Sequence, residues 1–217
     1  MAKGPTVLIV DDHPLFRDAL EAALVSAYPD GASVYHAGSL GDAQARLNET
    51  MVDLVLLDLN LSDTSGFDGL AKLRAKLPGV PIYVISATER SEAYATAKTL
   101  GASGYLPKSL SLEDLSAALA TALDGGTWFP DIQASADDLA QAELAKRVAS
   151  LTPAQKRVMA GLSDGLLNKQ IAYEMDISIA TVKAHMTAVL RKLGANNRTQ
   201  ALLIYTSATS LDDHSAA

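Results

Sequence analysis

The chain contains no cysteine, which excludes disulfides, thiolate zinc sites and cysteine nucleophiles together and suits a reducing compartment. Its four histidines, at positions 13, 36, 185 and 214, stand too far apart in sequence to make a local metal motif. No stretch approaches the ~18 consecutive apolar residues of a membrane-spanning helix. The opening M-A-K-G-P-T enters a strand pattern directly, with no apolar leader. No internal repeat is visible. These absences lead us to expect a cytoplasmic protein without a membrane partner.

What is present suffices for a packed core. The 217 residues are 48% hydrophobic and 20% charged, the composition of a globular protein with one or two domains. The net charge of −7 hides an asymmetry: residues 1–150 carry a net −9, whereas residues 151–207 carry a net +4, followed by Asp212 and Asp213. The first part would repel a polyanion and the second would attract one.

Short apolar runs, V-L-I-V (7–10), S-V-Y-H-A (33–37), L-V-L-L (54–57), I-Y-V-I (82–85) and G-Y-L-P (104–107), alternate with helical patterns near 14–27, 40–49, 67–77, 90–100 and 112–124. Runs of Val, Ile and Leu without polar alternation fit strands buried on both faces, so five strand–helix alternations imply a parallel sheet covered by helices. From Gly125 to Ser150 the sequence turns Ala-rich and polar, part helix and part linker. L-T-P-A-Q then opens a second segment, with Thr152 as N-cap, Pro153 at the first helical position and Gln155 closing a capping box. Four short helices are expected there, near 153–164, 168–175, 179–193 and 197–207.

In open parallel sheets ligand chemistry gathers at the carboxyl ends of the strands. Asp11 and Asp12 follow the first strand, Asp58 the third, Ser86 the fourth and Lys108 the fifth. Three carboxylates drawn together resist ionising unless a cation is supplied, and oxygen ligands without His or Cys point to a hard ion, Mg²⁺ before Zn²⁺. Asp58 is then the natural nucleophile, a carboxylate able to carry an acyl phosphate, with Mg²⁺, the ammonium of Lys108 and the hydroxyl of Ser86 set to stabilise the phosphoryl oxygens. A lone aspartate after a strand more often forms a turn or a helix cap, and only the ordered set carries weight.

V-D-D-H (10–13), L-L-D-L-N (56–60), I-S-A (85–87) and G-Y-L-P-K-S (104–109) resemble the receiver domain of two-component response regulators across residues 5–124. The resemblance implies a flavodoxin-like, doubly wound, five-stranded α/β fold. It makes Asp58 the phosphoacceptor, with Asp11, Asp12, Asp58 and the backbone carbonyl of Asn60 around Mg²⁺, and Ser86 and Tyr105 as switch residues. One departure stands out: receivers usually carry Met-Pro, or another apolar residue and Pro, three and four residues after the phosphorylated aspartate, where this chain has Leu61 and Ser62. Gly66 keeps its spacing, so the expected change is in loop rigidity and hence in phosphoryl lifetime.

In L-N-K-Q-I-A-Y-E-M-D-I-S-I-A-T-V-K-A-H-M-T-A-V-L-R-K-L, a helix with Ile171, Ala172 and Met175 inward is followed by the turn Asp176-Ile177-Ser178 and a second helix capped by Ser178. Val182, Met186, Val189, Leu190 and Leu193 share one face of that helix, opposite Ala180, Ala184, Thr187 and Arg191. A face small near its start and basic near its end suits a major groove. We assign Ala184 and Thr187 to the groove and Lys183 to a base edge or a phosphate, count Thr181 among the DNA-binding residues, and assign Lys169, His185, Arg191, Lys192 and Arg198 chiefly to phosphates. A bundle with a merely solvated charged face is the bland alternative.

Residues 151–205 resemble the LuxR-type helix-turn-helix, through L-T-P-A-Q, G-L-L-N-K-Q-I-A, I-S-I-A-T-V-K-A-H and L-R-K-L-G-A-N-N-R-T-Q-A. Ala154-Gln155 stands where that family often has Arg-Glu. Together the two resemblances indicate the NarL/FixJ class: a receiver (5–124), a linker (125–150) and an all-α helix-turn-helix domain (151–207). They imply a transcription regulator, not an enzyme, switched by a sensor histidine kinase at Asp58, binding double-stranded DNA and forming a homodimer when phosphorylated or DNA-bound. The last helix would pair with its twin through Ala201, Leu202 and Tyr205, positions equally consistent with a core. Two other classes remain in view: a haloacid-dehalogenase-like Mg²⁺ phosphatase, which wants Asp-x-Asp where this chain has Asp11-Asp12-His13, and a receiver whose output module binds protein.

Overall fold

Five apolar runs become the strands of one parallel sheet: β1 (Thr6–Val10), β2 (Ser33–Ala37), β3 (Leu54–Asp58), β4 (Ile82–Ser86) and β5 (Gly104–Pro107), in the order β2-β1-β3-β4-β5. The helices between and after them are α1 (Pro14–Ala27), α2 (Leu40–Glu49), α3 (Asp68–Lys76), α4 (Ser91–Thr99) and α5 (Leu112–Leu123). This computed structural model describes residues 4–64, 66–131 and 134–209; Asp212, Asp213 and His214 lie outside them. The chain divides into two units, one running to Ala142 and the other starting at Glu143.

Side chains alternate across the pleat, and both faces are buried. Leu8, Val10, Val55, Leu57, Ile82 and Val84 pack on one face with residues of α2, α3 and α4. Val7, Ile9, Leu54, Leu56, Tyr83 and Ile85 pack on the other with α1 and α5. Continuous apolar runs are what such strands require, whereas the edge strand β2 is only half-buried along most of its length.

The edge at β5 is partly covered by the segment that follows α5. The amide of Tyr105 donates to the Trp128 carbonyl at 2.8 Å, Gly104 and Trp128 form a parallel bridge, and the Tyr83 hydroxyl donates to the Gly126 carbonyl at 2.9 Å. Gly104 is needed for this approach, because a Cβ there would stand 2.8 Å from the Trp128 carbonyl oxygen.

The boundary between the units falls within α6 (Ala136–Ala149). In the second unit follow α7 (Pro153–Ser163), α8 (Asn168–Met175), α9 (Ile179–Leu193) and α10 (Arg198–Thr209), around a core of Val158, Met159, Leu162, Ile171, Val182, Val189 and Leu193. Thr152 and Gln155 form the reciprocal capping box expected from the sequence. Asp176 ends α8 in the left-handed conformation at φ 55°, a geometry short polar side chains tolerate, and Ser178 caps α9 by accepting from the Thr181 amide at 3.0 Å. No helix among the described residues is long and apolar enough to cross a membrane.

Candidate functional site

The carboxyl ends of β1, β3, β4 and β5 bring Asp11, Asp58, Ser86 and Lys108 into one crevice. Asp11 and Asp58 are each about 1% exposed, and Ser86 and Tyr105 are fully buried. The Lys108 ammonium stands 2.8 Å from Oδ2 of Asp11 and 2.8 Å from Oδ2 of Asp58, and 4.7 Å from the centroid of the Phe16 ring, which adds a cation–π contact. The Asn60 amide donates to Asp58 Oδ1 at 3.1 Å. Burial pushes the Asp58 carboxyl above its ordinary value of 3.8, assisted by the Asp11 charge and opposed by Lys108 and the Asn60 amide. Burial also disfavours the charged Lys108, but hydrogen bonds to Asp11 and Asp58 outweigh it and raise that group.

Asp12 lies at the rim, its side chain 28% exposed. Oδ2 of Asp11 and Oδ1 of Asp12 are buried, and each is ion-paired at 2.8 Å with a cationic or potentially cationic nitrogen, of Lys108 and His13 respectively. Three carboxylates gathered at one point offer the oxygen ligands that a hard cation takes. Ligand atoms of Asp11, Asp12, His13 and Asp58 lie within 4.8 Å of one another. His13, exposed though it is, joins the acidic cluster. Its position directly after Asp11-Asp12 was the available signal.

Behind the acids, the Ser86 hydroxyl accepts from the Thr88 amide at 3.1 Å and the Tyr105 hydroxyl donates to the Thr88 carbonyl at 2.8 Å. Tyr105 also meets Tyr94 edge-on, with ring centroids 4.7 Å apart, and burial raises its phenol. Thr88 is thus a node shared by both expected switch residues.

In the second unit Lys169, Lys183, Ala184, Thr187, Arg191 and Arg198 are exposed, and His185 is half-buried. Three of the expected DNA contacts already hold hydrogen bonds within the unit, among them Thr187, whose hydroxyl donates to the Lys183 carbonyl at 3.0 Å. The Thr181 hydroxyl pairs with Ser178 at 2.8 Å, inside the cap of α9. The Lys192 ammonium donates to the Ser150 carbonyl at 2.7 Å and to Gln155 Oε1 at 2.9 Å, tying α9 to the start of α7. On α10, Ala201 is fully buried while Leu202 and Tyr205 pack against the unit's own core, so the exposed apolar residue is Leu203, at 63%. Tyr173 on α8, 88% exposed beside the basic residues, was not singled out in the sequence.

Residues 7–120 match the response regulator receiver domain family, and residues 149–205 match the luxR family of bacterial regulatory proteins. A glycerol metabolism activator of Pseudomonas putida is 37% identical over 206 residues, covering 91% of this chain and 93% of its own. The nitrate/nitrite response regulator protein NarL of Escherichia coli K12 is 35% identical over 201 residues, covering 90% and 92% respectively. A solved structure of the RcsB response regulator of Salmonella typhimurium shares the fold, with a TM-score of 0.55 at 20% identity over 94% of this chain and 99% of that one.

Proposed function

The chain belongs to the two-component response regulators of the NarL/FixJ class, and on that footing we propose that Asp58 is its phosphoacceptor, supplied by a sensor histidine kinase. The observation that carries the assignment is the Lys108 ammonium held 2.8 Å from both Asp11 and Asp58. A carboxylate oxygen of Asp58 attacks phosphorus, and an O–P bond forms as the P–N bond of the donor phosphohistidine breaks. Burial opposes ionisation of Asp58, and Lys108 offsets part of that opposition. Mg²⁺ held by Asp11, Asp12, Asp58 and the carbonyl of Asn60 would neutralise the acids and the phosphoryl oxygens.

The switch follows from the shared node. Turning the Ser86 hydroxyl toward a phosphoryl group removes the acceptor of the Thr88 amide, and a shift of Thr88 releases the Tyr105 hydroxyl. A bias of a few kcal/mol is enough to exchange two such states.

The output is DNA binding. Lys183, Ala184 and Thr187 of α9 face the major groove, and Lys169, His185, Arg191 and Arg198 hold phosphates. Thr181 caps the reading helix and Lys192 braces it from within. A homodimer on two half-sites would leave the core positions of α10 in place and use the face that presents Leu203. A cytoplasmic site of action belongs to the same reading.

Labelling from acetyl phosphate in the presence of Mg²⁺ tests the site: the wild type takes up label and Asp58→Asn does not. Label retained by Asp58→Asn refutes the assignment.

A further inference from the structure

The loop between β3 and α3 carries Asn60, whose amide is already bonded to Asp58. Ser62 brings no ring to stiffen this loop. Asp63 reaches instead across the sequence to the start of α2. Its Oδ1 accepts from the Leu40 amide and its Oδ2 from the Gly41 amide, each at 2.9 Å.

The amides of a helix's first turn have no partner within it; in α2 the Ser39 side chain takes that of Asp42, and Asp63 alone takes those of Leu40 and Gly41. Both oxygens of one carboxylate are thereby fixed on two adjacent donors at the positive end of a helix, an arrangement that defines the position of Asp63 and not only its distance. Two residues before it Leu61 is 3% exposed, and four after it Phe67 is 8% exposed, both in the core. Asn60 lies between the Asp58 end of β3 and this clamp.

We propose that Asp63 is a positioning residue for the cation and phosphoryl pocket, holding the Asn60 carbonyl in place by clamping the β3–α3 loop to the first turn of α2. The proposal rests on the reading of Asp58 and its neighbours as that pocket. Asp63 touches neither cation nor phosphoryl group. Its effect passes through the backbone of residues 59–63, and its removal should loosen the pocket without unfolding it.

Ser39 supplies the control, since Ser39→Ala removes a cap of the same helix and leaves the loop untouched. Full-length wild type, Asp63→Ala, Asp63→Asn and Ser39→Ala are titrated with Mg²⁺ by calorimetry, and their thermal unfolding is followed in parallel. Asp63→Ala should weaken Mg²⁺ about tenfold, equivalent to roughly 1.4 kcal/mol. Asp63→Asn, which can accept only one of the two bonds, should fall between it and the wild type. Ser39→Ala should keep its affinity within about twofold while losing thermal stability comparable to that lost by Asp63→Ala, as expected for loss of a cap. The proposal is overturned if Asp63→Ala binds Mg²⁺ as the wild type does, if Ser39→Ala weakens it equally, or if the wild type has no Mg²⁺ affinity. Label on Asp58→Asn would remove the phosphoacceptor while the Mg²⁺ titrations still judged Asp63.

Discussion

At the scale of single residues, Asp58 and Asp63 show how one side chain is set to opposite ends by its surroundings. Burial raises Asp58 above 3.8, so the folded state binds that proton more tightly than the unfolded chain. Ionisation then costs stability as pH rises through the raised value. Asp58→Asn should therefore raise the unfolding midpoint of the cation-free protein at pH 7. The gain should shrink to nothing as pH falls below 3.8, and a pH series of thermal melts reads it. Asp63 has the other sign: burial would raise it, but the Leu40 and Gly41 amides prevail and lower it below 3.8, so its contribution is present at neutral pH and is lost as acid protonates it. Asp11, Asp58, Ser86 and Lys108 were legible because each ends a recognisable strand. Asp63 was not, since its partners lie 22 and 23 residues away and no local pattern reports them. Phe16 escaped for a similar reason, its ring meeting Lys108 only through the tertiary fold.

Among elements, the sheet was legible and its edge was not. Runs of Val, Ile and Leu marked β1, β3 and β4 because strands covered on both faces exclude polar alternation. The pairing of Trp128 with the edge of β5 left no such mark: Trp128 follows Gly126, in a stretch whose composition resembles a linker. Gly104→Ala should disrupt that pairing, since the new methyl meets the Trp128 carbonyl and the Tyr83 ring. Overpacking of this kind costs about 2 kcal/mol. Urea unfolding measures the loss, and the one tryptophan in the sequence should shift its emission to the red as it leaves the sheet edge.

Over the whole molecule the division of charge decides which partner each part can meet. The net −9 of residues 1–150 and +4 of residues 151–207 assign polyanion binding to the second part. Its affinity should fall linearly with the logarithm of salt concentration as counterions are released. Arg191→Ala, which removes an exposed cation from α9, should reduce the magnitude of that slope by about one and weaken different DNA sequences alike. Fluorescence anisotropy on two unrelated duplexes across a salt series checks both. Lys192→Ala should leave the slope unchanged, because its ammonium is bonded to Ser150 and Gln155 within the unit.

By itself the sequence determined which segments are strands and helices, which strand ends carry acids, and where the positive charge lies. These follow from the period of burial, from capping chemistry and from composition, all local along the chain. Tertiary structure alone decided that His13 joins the acids, that Lys192 turns inward, that Ala201 belongs to a core, and that Asp63 closes the first turn of α2. Apart from His13, whose neighbours Asp11 and Asp12 already stand beside it in the sequence, each of these depends on the direction of a side chain and on a partner brought close by folding, and such contacts are set by packing in three dimensions, which spacing along the chain does not encode.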